Sequence, residues 1–343
     1  MMKRWEIGSE FEAEYGSERA SGFTIPEGFH PNWTLSGRTA IDLAVRDAPG
    51  IRKICVPSYC CSSMIEPFLN NSIEVGFYSV TFDNGLDIDL SNINKYDAIL
   101  LFSYFGYSST IDIEAIKVFK ERGGVVIQDV THSLFSLEEK EELSDYLVAS
   151  VRKWGSLISG GFVAKKDQEI AANLIPPDPL FVHNKQQAMQ LKADYLLGKK
   201  VDKAVFLQLY HETNDWIAEN YQDCSIDKLS KERVSTWNVN WISARRRENA
   251  SCLHRLLRDS EIVQPIFKEE QMECPLFFPI VVRNGKRAWL QKRLRENDIY
   301  CPIHWPKPSA GCESNLYDTE LSLICDQRYD KQDMIKISTI INS

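Results

Sequence analysis

The residues best suited to chemistry lie between Val125 and Val163, in the stretch VVIQDVTHSLFSLEEKEELSDYLVASVRKWGSLISGGFV. Val125, Val126 and Ile127 form a short apolar run after Gly123-Gly124, which predicts a buried strand delivering Asp129 at its C-terminal end. Open α/β sheets place their ligands beyond the carboxyl ends of the strands. His132 follows shortly after that carboxylate, and the run Ser150-Val151-Arg152-Lys153 then precedes the pair Gly160-Gly161. A lysine amine can hold a carbonyl cofactor as a Schiff base, and pyridoxal phosphate is the common one. The pyridoxal ring is an electron sink while its nitrogen stays protonated, and an ionised carboxylate such as Asp129 secures that proton. The phosphate of such a cofactor asks for backbone N–H groups at a helix start. Ser36-Gly37-Arg38-Thr39 offers that turn, ahead of an apolar face made by Ile41, Leu43, Ala44 and Val45. One cofactor thus accounts for Lys153, Asp129 and the Gly37-Arg38-Thr39 turn. Each also has a plainer reading: Lys153 as a surface lysine, His132 as a satisfied core histidine, Ser36-Gly37 as a helix cap.

These residues need a sheet to hold them. Strands are predicted at 53–57, 73–80, 97–106 and 125–129, alternating with helices after Ser36, after Ser58 and over 111–122, which Gly123-Gly124 ends. The alternation argues for an α/β fold with a mostly parallel sheet and helices on both faces. The segment from Phe135 to Leu147 reads as a helix-like spacer with a wet face, and 168–222 as polar and helical. A helix over 241–260 has Ile242, Cys252, Leu253, Leu256 and Leu257 on its apolar face, with Arg245, Arg246 and Arg247 as the solvated one. Strands at 275–282 and 299–306 flank a basic helix at 286–297, and Met334–Ile341 is either a strand or the end of a last helix. The domain reading is an N-terminal arm over 1–34, a large cofactor-binding α/β domain with a helical extension over 35–240, and a small α+β domain over 241–343.

Bulk properties narrow the function classes. The 343 residues suffice for a sizeable core, and 43% hydrophobic with 26% charged residues is ordinary globular composition. A net charge of −8 disfavours nucleic acid as a partner. The acidic N-terminal stretch has no signal-peptide core, and no apolar run approaches the roughly 18 residues of a membrane span, so a cytoplasmic protein is expected. Nine cysteines without a CxxC pair read as free buried thiols, with Cys60-Cys61 packing rather than reacting.

Several motifs, in order, resemble the DegT-type aminotransferases, the sugar aminotransferases among fold type I pyridoxal phosphate enzymes. They are Ser-Gly-Arg-Thr-Ala-Ile (36–41), Val-Pro-Ser-Tyr (56–59), Ile-Gln-Asp-Val-Thr-His-Ser (127–133), Ser-Val-Arg-Lys-Trp (150–154) with Gly160-Gly161, Arg-Arg-Arg-Glu-Asn-Ala (245–250), Ile-His-Trp-Pro (303–306) and Asp-Gln-Arg-Tyr (326–329). The resemblance implies a large domain with a mostly parallel, seven-stranded type of sheet plus a small C-terminal domain. It implies that Lys153 holds the cofactor and shuttles the proton, and that Asp129 pairs with the ring nitrogen. His132 would stand beside the ring oxygen, and Gly37, Arg38 and Thr39 would bind the phosphate. The family's phosphate serine stands where this chain has Val148, so Ser150 takes that role by resemblance. The family's ring-stacking aromatic falls at Cys61, so Tyr59 must shift to cover the ring or the stacking is lost. His304 and Trp305 either line a substrate pocket or belong to the core and its wet edge; Arg328 binds a substrate anion or closes a salt bridge. The activity implied is transfer of an amino group from glutamate to a keto sugar, nucleotide-linked, in surface-polysaccharide or amino-sugar biosynthesis, by a homodimer with sites at its interface. The alternative is a cofactor-binding regulator or a degenerate relative without turnover.

Overall fold

The computed structural model describes residues 5–14, 20, 22–48, 50–136, 142–308 and 312–343. After a short β1 (Ile7–Gly8), the main sheet begins with β2 (Phe29–Thr34), which leads through Ser36 into α1 (Gly37–Asp47). There follow β3 (Lys53–Pro57), α2 (Ser62–Asn70), β4 (Glu74–Phe82), β5 (Leu86–Asp89), β6 (Ala98–Phe102), α3 (Ile113–Glu121), β7 (Val125–Asp129), β8 (Tyr146–Ala149) and β9 (Gly161–Lys166). The sheet has eight strands in the order β2-β9-β8-β7-β6-β3-β4-β5. Its centre, β4-β3-β6-β7-β8, is parallel, while β9 runs against β8 and β5 against β4. Every residue of Ala-Ile-Leu-Leu-Phe in β6 is buried, as a parallel strand covered on both faces requires.

The sheet departs from the seven-stranded expectation because β4 folds back on itself as a hairpin to make β5. Asn84 makes that turn in the left-handed region, with φ 58°. Residues 29–34, expected in an arm, are instead the strand β2, in antiparallel register with β9 from Phe29↔Lys166 to Thr34↔Gly161. The spacer expected to be helix-like up to Leu147 gives way to β8 at Tyr146, whose four residues are all buried between β7 and β9; Leu137–Glu141 lie outside the described residues. The strand expected over 97–106 stops at Phe102. The chain then turns through Phe105 (φ 59°) and Gly106 (φ 79°), where a Cβ on Gly106 would collide with the Cys274 carbonyl.

The helical middle comprises α4 (Pro179–Leu196) packed on α5 (Lys203–Glu219), then α6 (Lys228–Val234) and α7 (Val239–Leu257). A division of the chain at residue 241 falls within the first turn of α7. The C-terminal part has β10 (Val263–Pro265), β11 (Phe278–Val282), α8 (Arg287–Arg295), β12 (Ile299–Tyr300), α9 (Leu316–Thr319), β13 (Glu320–Leu323) and α10 (Lys331–Asn342). β10, β11 and β13 form an antiparallel sheet with a core of its own around Leu253, Ile280, Leu290, Leu321 and Ile337. The strand expected over 299–306 ends at Tyr300, ahead of Pro302, which has no N–H for a ladder. Met334–Ile341 belongs to α10, which Asp330 and Asp333 cap reciprocally.

Arg246 corrects the reading of the arginine triplet as a solvated face. It is fully buried, donating from Nε to Gln327 Oε1 (2.9 Å) and from Nη1 to the carbonyls of Pro275 (3.2 Å) and Leu276 (2.9 Å), with its guanidinium 4.6 Å from the Trp154 ring. The nine cysteines are free, and all but Cys61 are buried. No helix among the described residues is long and apolar enough to cross a membrane.

Residues 5–14 join the two parts of the molecule. β1 pairs in parallel with β12, and Phe11 lies 4.0 Å beneath the Arg328 guanidinium. Tyr210 donates to the Phe11 carbonyl (2.8 Å), Ser156 donates to that of Glu12 (2.6 Å), and the buried Lys192 ammonium donates to the carbonyls of Gly8 and Glu10.

Candidate active site

The parallel pairing of β7 with β8 brings the sequence-distant groups together. Asp129 lies opposite Val148 in register, so both strands end on the same edge of the sheet, and Val151–Lys153 is one 3-10 turn just beyond β8. Two glycines let the start of α1 settle on this edge. A Cβ on Gly161 would run into the Ser36 backbone, and one on Gly37 would come within 3.1 Å of Ser150 Cβ and 3.2 Å of Ser150 N. Ser36 caps α1, accepting at Oγ from Thr39 N (3.3 Å).

The start of α1, the end of β7 and the turn after β8 enclose a cavity of about 160 Å³. Lys153, Asp129, Thr131, Ser150, Gly37 and Arg38 line it, with Cys61, Phe102, Arg152, Asn214 and Trp305. Lys153 and Arg152 also line a larger cleft of about 590 Å³, bounded by Ser9–Phe11, Arg295, Tyr300 and Arg328. Lys153, with Arg152 and Asn214, therefore stands between a small inner cavity and a wider outer cleft and lines both.

Burial sets the electrostatics of this place. Desolvation lowers the Lys153 pKa below the ordinary lysine value, against the opposing pull of Cys61 and Asp129, while Arg152 lowers it further. Desolvation raises Asp129 above the usual carboxylate value, while hydrogen bonding from Thr131 and the charge of Lys153 act the other way. Thr131 N donates to Asp129 Oδ1 (2.8 Å), Thr131 Oγ1 accepts from Ser150 N (2.9 Å), and the Thr131 carbonyl accepts from Trp154 Nε1 (2.7 Å). Thr131 thus joins the ends of β7 and β8 through both its backbone and its side chain.

The remaining candidates sort into wall and backing. Ser150 and Cys61 are in the cavity wall, whereas Val148 is in the core. Thr39 is fully buried behind the wall, its Oγ1 3.1 Å from Ser36 Oγ. Tyr59 is fully buried too and packs behind Trp305, with ring centroids 5.2 Å apart. His132 is also buried; burial, Lys153 and His304 hold its pKa well below the usual histidine value, so it is neutral. Its Nδ1 accepts from Phe105 N (3.4 Å), which leaves Nε2 as a donor with no partner among the described residues. His304 is bound at Nδ1 to Ser322 Oγ (2.8 Å) and lines neither space. Trp305 lines the inner cavity. Arg328 lines the outer cleft, but Asp326 (2.8 Å) and Glu12 (3.1 Å) already pair with it. Asn214 was not a candidate from sequence. It follows Phe206, Tyr210 and Thr213, the buried side of α5, and a polar residue beside that stripe was the available signal.

This set fits pyridoxal phosphate. It offers one half-buried, desolvated lysine, one buried carboxylate, a capped helix start made close by a glycine, and two guanidinium Nε donors, on Arg38 and Arg152, that are buried without a partner among the described residues.

Residues 234–322 match the model of the DegT/DnrJ/EryC1/StrS aminotransferase family. No curated protein sequence matches the chain. Among solved structures, the chain is similar to NtdA from Bacillus subtilis with bound cofactor PMP (15% identity, 92% of this chain and 74% of that one, TM-score 0.62). It is similar to Helicobacter pylori PseC, an aminotransferase involved in the biosynthesis of pseudoaminic acid (14%, 91% and 85%, TM-score 0.60). It is also similar to DesI in the presence of its TDP-sugar product (13%, 91% and 80%, TM-score 0.58).

Proposed function

We propose that the chain is a pyridoxal phosphate-dependent aminotransferase of the DegT-type family, in which glutamate gives the amino group and a nucleotide-linked keto sugar receives it. The observation that carries this reading is the meeting of Lys153 and Asp129 in one cavity at the start of α1. The TDP-sugar product of DesI supports a nucleotide-linked acceptor, and the pathway named for PseC supports amino-sugar or surface-polysaccharide biosynthesis. A cytoplasmic homodimer with its sites at the interface completes the proposal.

When bound, the cofactor supplies an electron sink that acidifies the amine-bearing carbon of the substrate. The chain's residues do the rest. Desolvation of the half-buried Lys153 enlarges its share of free amine at neutral pH, the form that attacks a carbonyl and takes up a proton at Nζ. Asp129 offers a carboxylate whose buried charge a cationic ring nitrogen would compensate. The N-terminus of α1, with Ser36, Gly37 and Ser150 around it, receives the phosphate, and the unpartnered Nε groups of Arg38 and Arg152 add donors for anionic oxygen. His132, buried and neutral, stands behind the cavity wall and supports it by stacking on Trp305 rather than by reaching the ring oxygen. Phe102 and Trp305 wall the cavity against water.

The test is spectroscopic. Protein supplied with pyridoxal phosphate is expected to absorb in the visible, Lys153→Ala to lose that band, and glutamate to bleach it in the wild type by converting the cofactor to its amine form. A colourless protein that ignores added cofactor overturns the reading. A band that glutamate leaves unchanged supports the regulator instead.

A further inference from the structure

We propose that Trp305, delivered from the C-terminal part of the chain, is the aromatic wall against the cofactor ring, replacing the aromatic that Cys61 does not provide. This rests on the cofactor reading above. The wall at position 61 is a small thiol, with Sγ 2.9 Å from Ser63 Oγ, and it offers no aromatic surface. Tyr59 cannot take its place. It has no exposed surface and lies in the second layer, with ring centroids 6.0 Å from Tyr104, 5.1 Å from Tyr317 and 5.2 Å from Trp305.

Trp305 differs from all of these. Its indole lines the same cavity as Lys153 and Asp129, and its 8% exposure is more than Tyr59 or His132 retains. The rings behind it fix its pose. His132 stacks at 5.6 Å and 29°, Phe102 meets it edge-on at 5.7 Å and 71°, and Tyr59 packs tilted at 53°. The main chain beside it is fixed as well, with His304 N donating to the buried Glu320 Oε2 (2.8 Å). A large aromatic locked this firmly at the edge of a cavity is preorganised to receive a flat, electron-poor ring. Tyr59 and His132, both family-matched positions, then act as positioning residues for Trp305 through their packing.

Cofactor titration followed by visible absorbance tests the assignment in the intact 343-residue chain. Trp305→Ala and Trp305→Leu are expected to bind pyridoxal phosphate roughly tenfold more weakly, since an aromatic partner and its burial are both lost. Trp305→Phe is expected to stay within about threefold of the wild type, because a ring is retained. Adding Cys61→Phe to Trp305→Leu is expected to recover most of the lost affinity, because it returns an aromatic to the same cavity. Near-UV circular dichroism and the melting temperature check that each variant is folded. Wild-type affinity in Trp305→Leu, or no recovery on adding Cys61→Phe, overturns the proposal. A wild type that takes up no cofactor defeats the earlier reading instead, so the two failures are distinct.

Discussion

Asp129→Asn separates the charge of the carboxylate from its structural work. Oδ1 accepts from Thr131 N at 2.8 Å, and an asparagine amide oxygen can make the same bond, so the link through Thr131 to Ser150 and Trp154 survives. What disappears is the negative charge that, in the proposed function, faces a protonated ring nitrogen, in a site where Asp129 is only 5% exposed. A hydrogen bond to a charged group contributes about 1.5–3 kcal/mol, equivalent to about 10- to 150-fold. That range is the expected loss in cofactor affinity. The reaction with glutamate should fall further, by at least about a hundredfold, because the electron sink also weakens. Asp129 raises the Lys153 pKa, so its neutralisation leaves the lysine less basic still, and covalent capture of the cofactor should persist. The assays are equilibrium titration with pyridoxal phosphate and the single-turnover rate at which glutamate bleaches the visible band. A folded Asp129→Asn protein that bleaches within threefold of the wild-type rate would refute the pairing of Asp129 with the ring.

Two stability predictions test the frame around the site. Arg246→Leu leaves Gln327 and the carbonyls of Pro275 and Leu276 buried without their donors, and it should lower unfolding free energy by about 3 kcal/mol in urea titration; a loss below about 1 kcal/mol would show that these groups find water or other partners. Glu320 is buried, and desolvation raises its pKa from 4.5 to about 8, so the folded protein keeps a proton that the unfolded chain releases. Its contribution is complete below about 4.5 and is lost as pH rises toward about 8. Melting temperature measured across that window should decline with pH in the wild type and decline less in Glu320→Gln; equal slopes would disprove the assignment.

The legible parts of the fold are those fixed by local signals. The Gly123-Gly124 break and the apolar run behind it place β7 at Val125–Asp129, and the Ser36 cap with an apolar face behind it places α1. β8 was obscured by the acidic run ahead of it, although Tyr146–Ala149 is a buried apolar strand once β7 and β9 flank it. Arg246 was obscured by its neighbours, because a triplet of arginines reads as wet even when one of them turns inward to Trp154. In the site, Gly37, Asp129, Ser150 and Lys153 sit in short motifs and meet because parallel strands end together. Thr39 and His132 belong to the same motifs but stand behind the wall, a distinction that depends on which side of the backbone faces the cavity. Trp305 and Asn214 reach the cavity from far along the chain: the 303–306 motif marks Trp305 without fixing which space it lines, and Asn214 is marked only by its place beside the buried stripe of α5.

The pairing of β1 with β12 bears on the order in which the molecule completes itself. Trp5 Nε1 reaches Asp333 Oδ1 across 328 positions, and Gly8 N reaches Tyr329 Oη across 321. These contacts have almost the longest loops the chain can close, and loop closure must precede the contacts that reward it. The segment around Glu10 has Ser156, Lys192, Tyr210 and Asn214 to dock on once α5 is made, whereas β1 and Trp5 must wait for β12, Tyr329 and α10. The outer cleft, lined by Ser9–Phe11 on one side and by Ile324, Asp326 and Arg328 on another, is complete only when those last residues are in place. Until then the cleft beside Lys153 lacks its C-terminal wall, which gives a small diffusible cofactor an interval in which to enter before Ile324, Asp326 and Arg328 complete it.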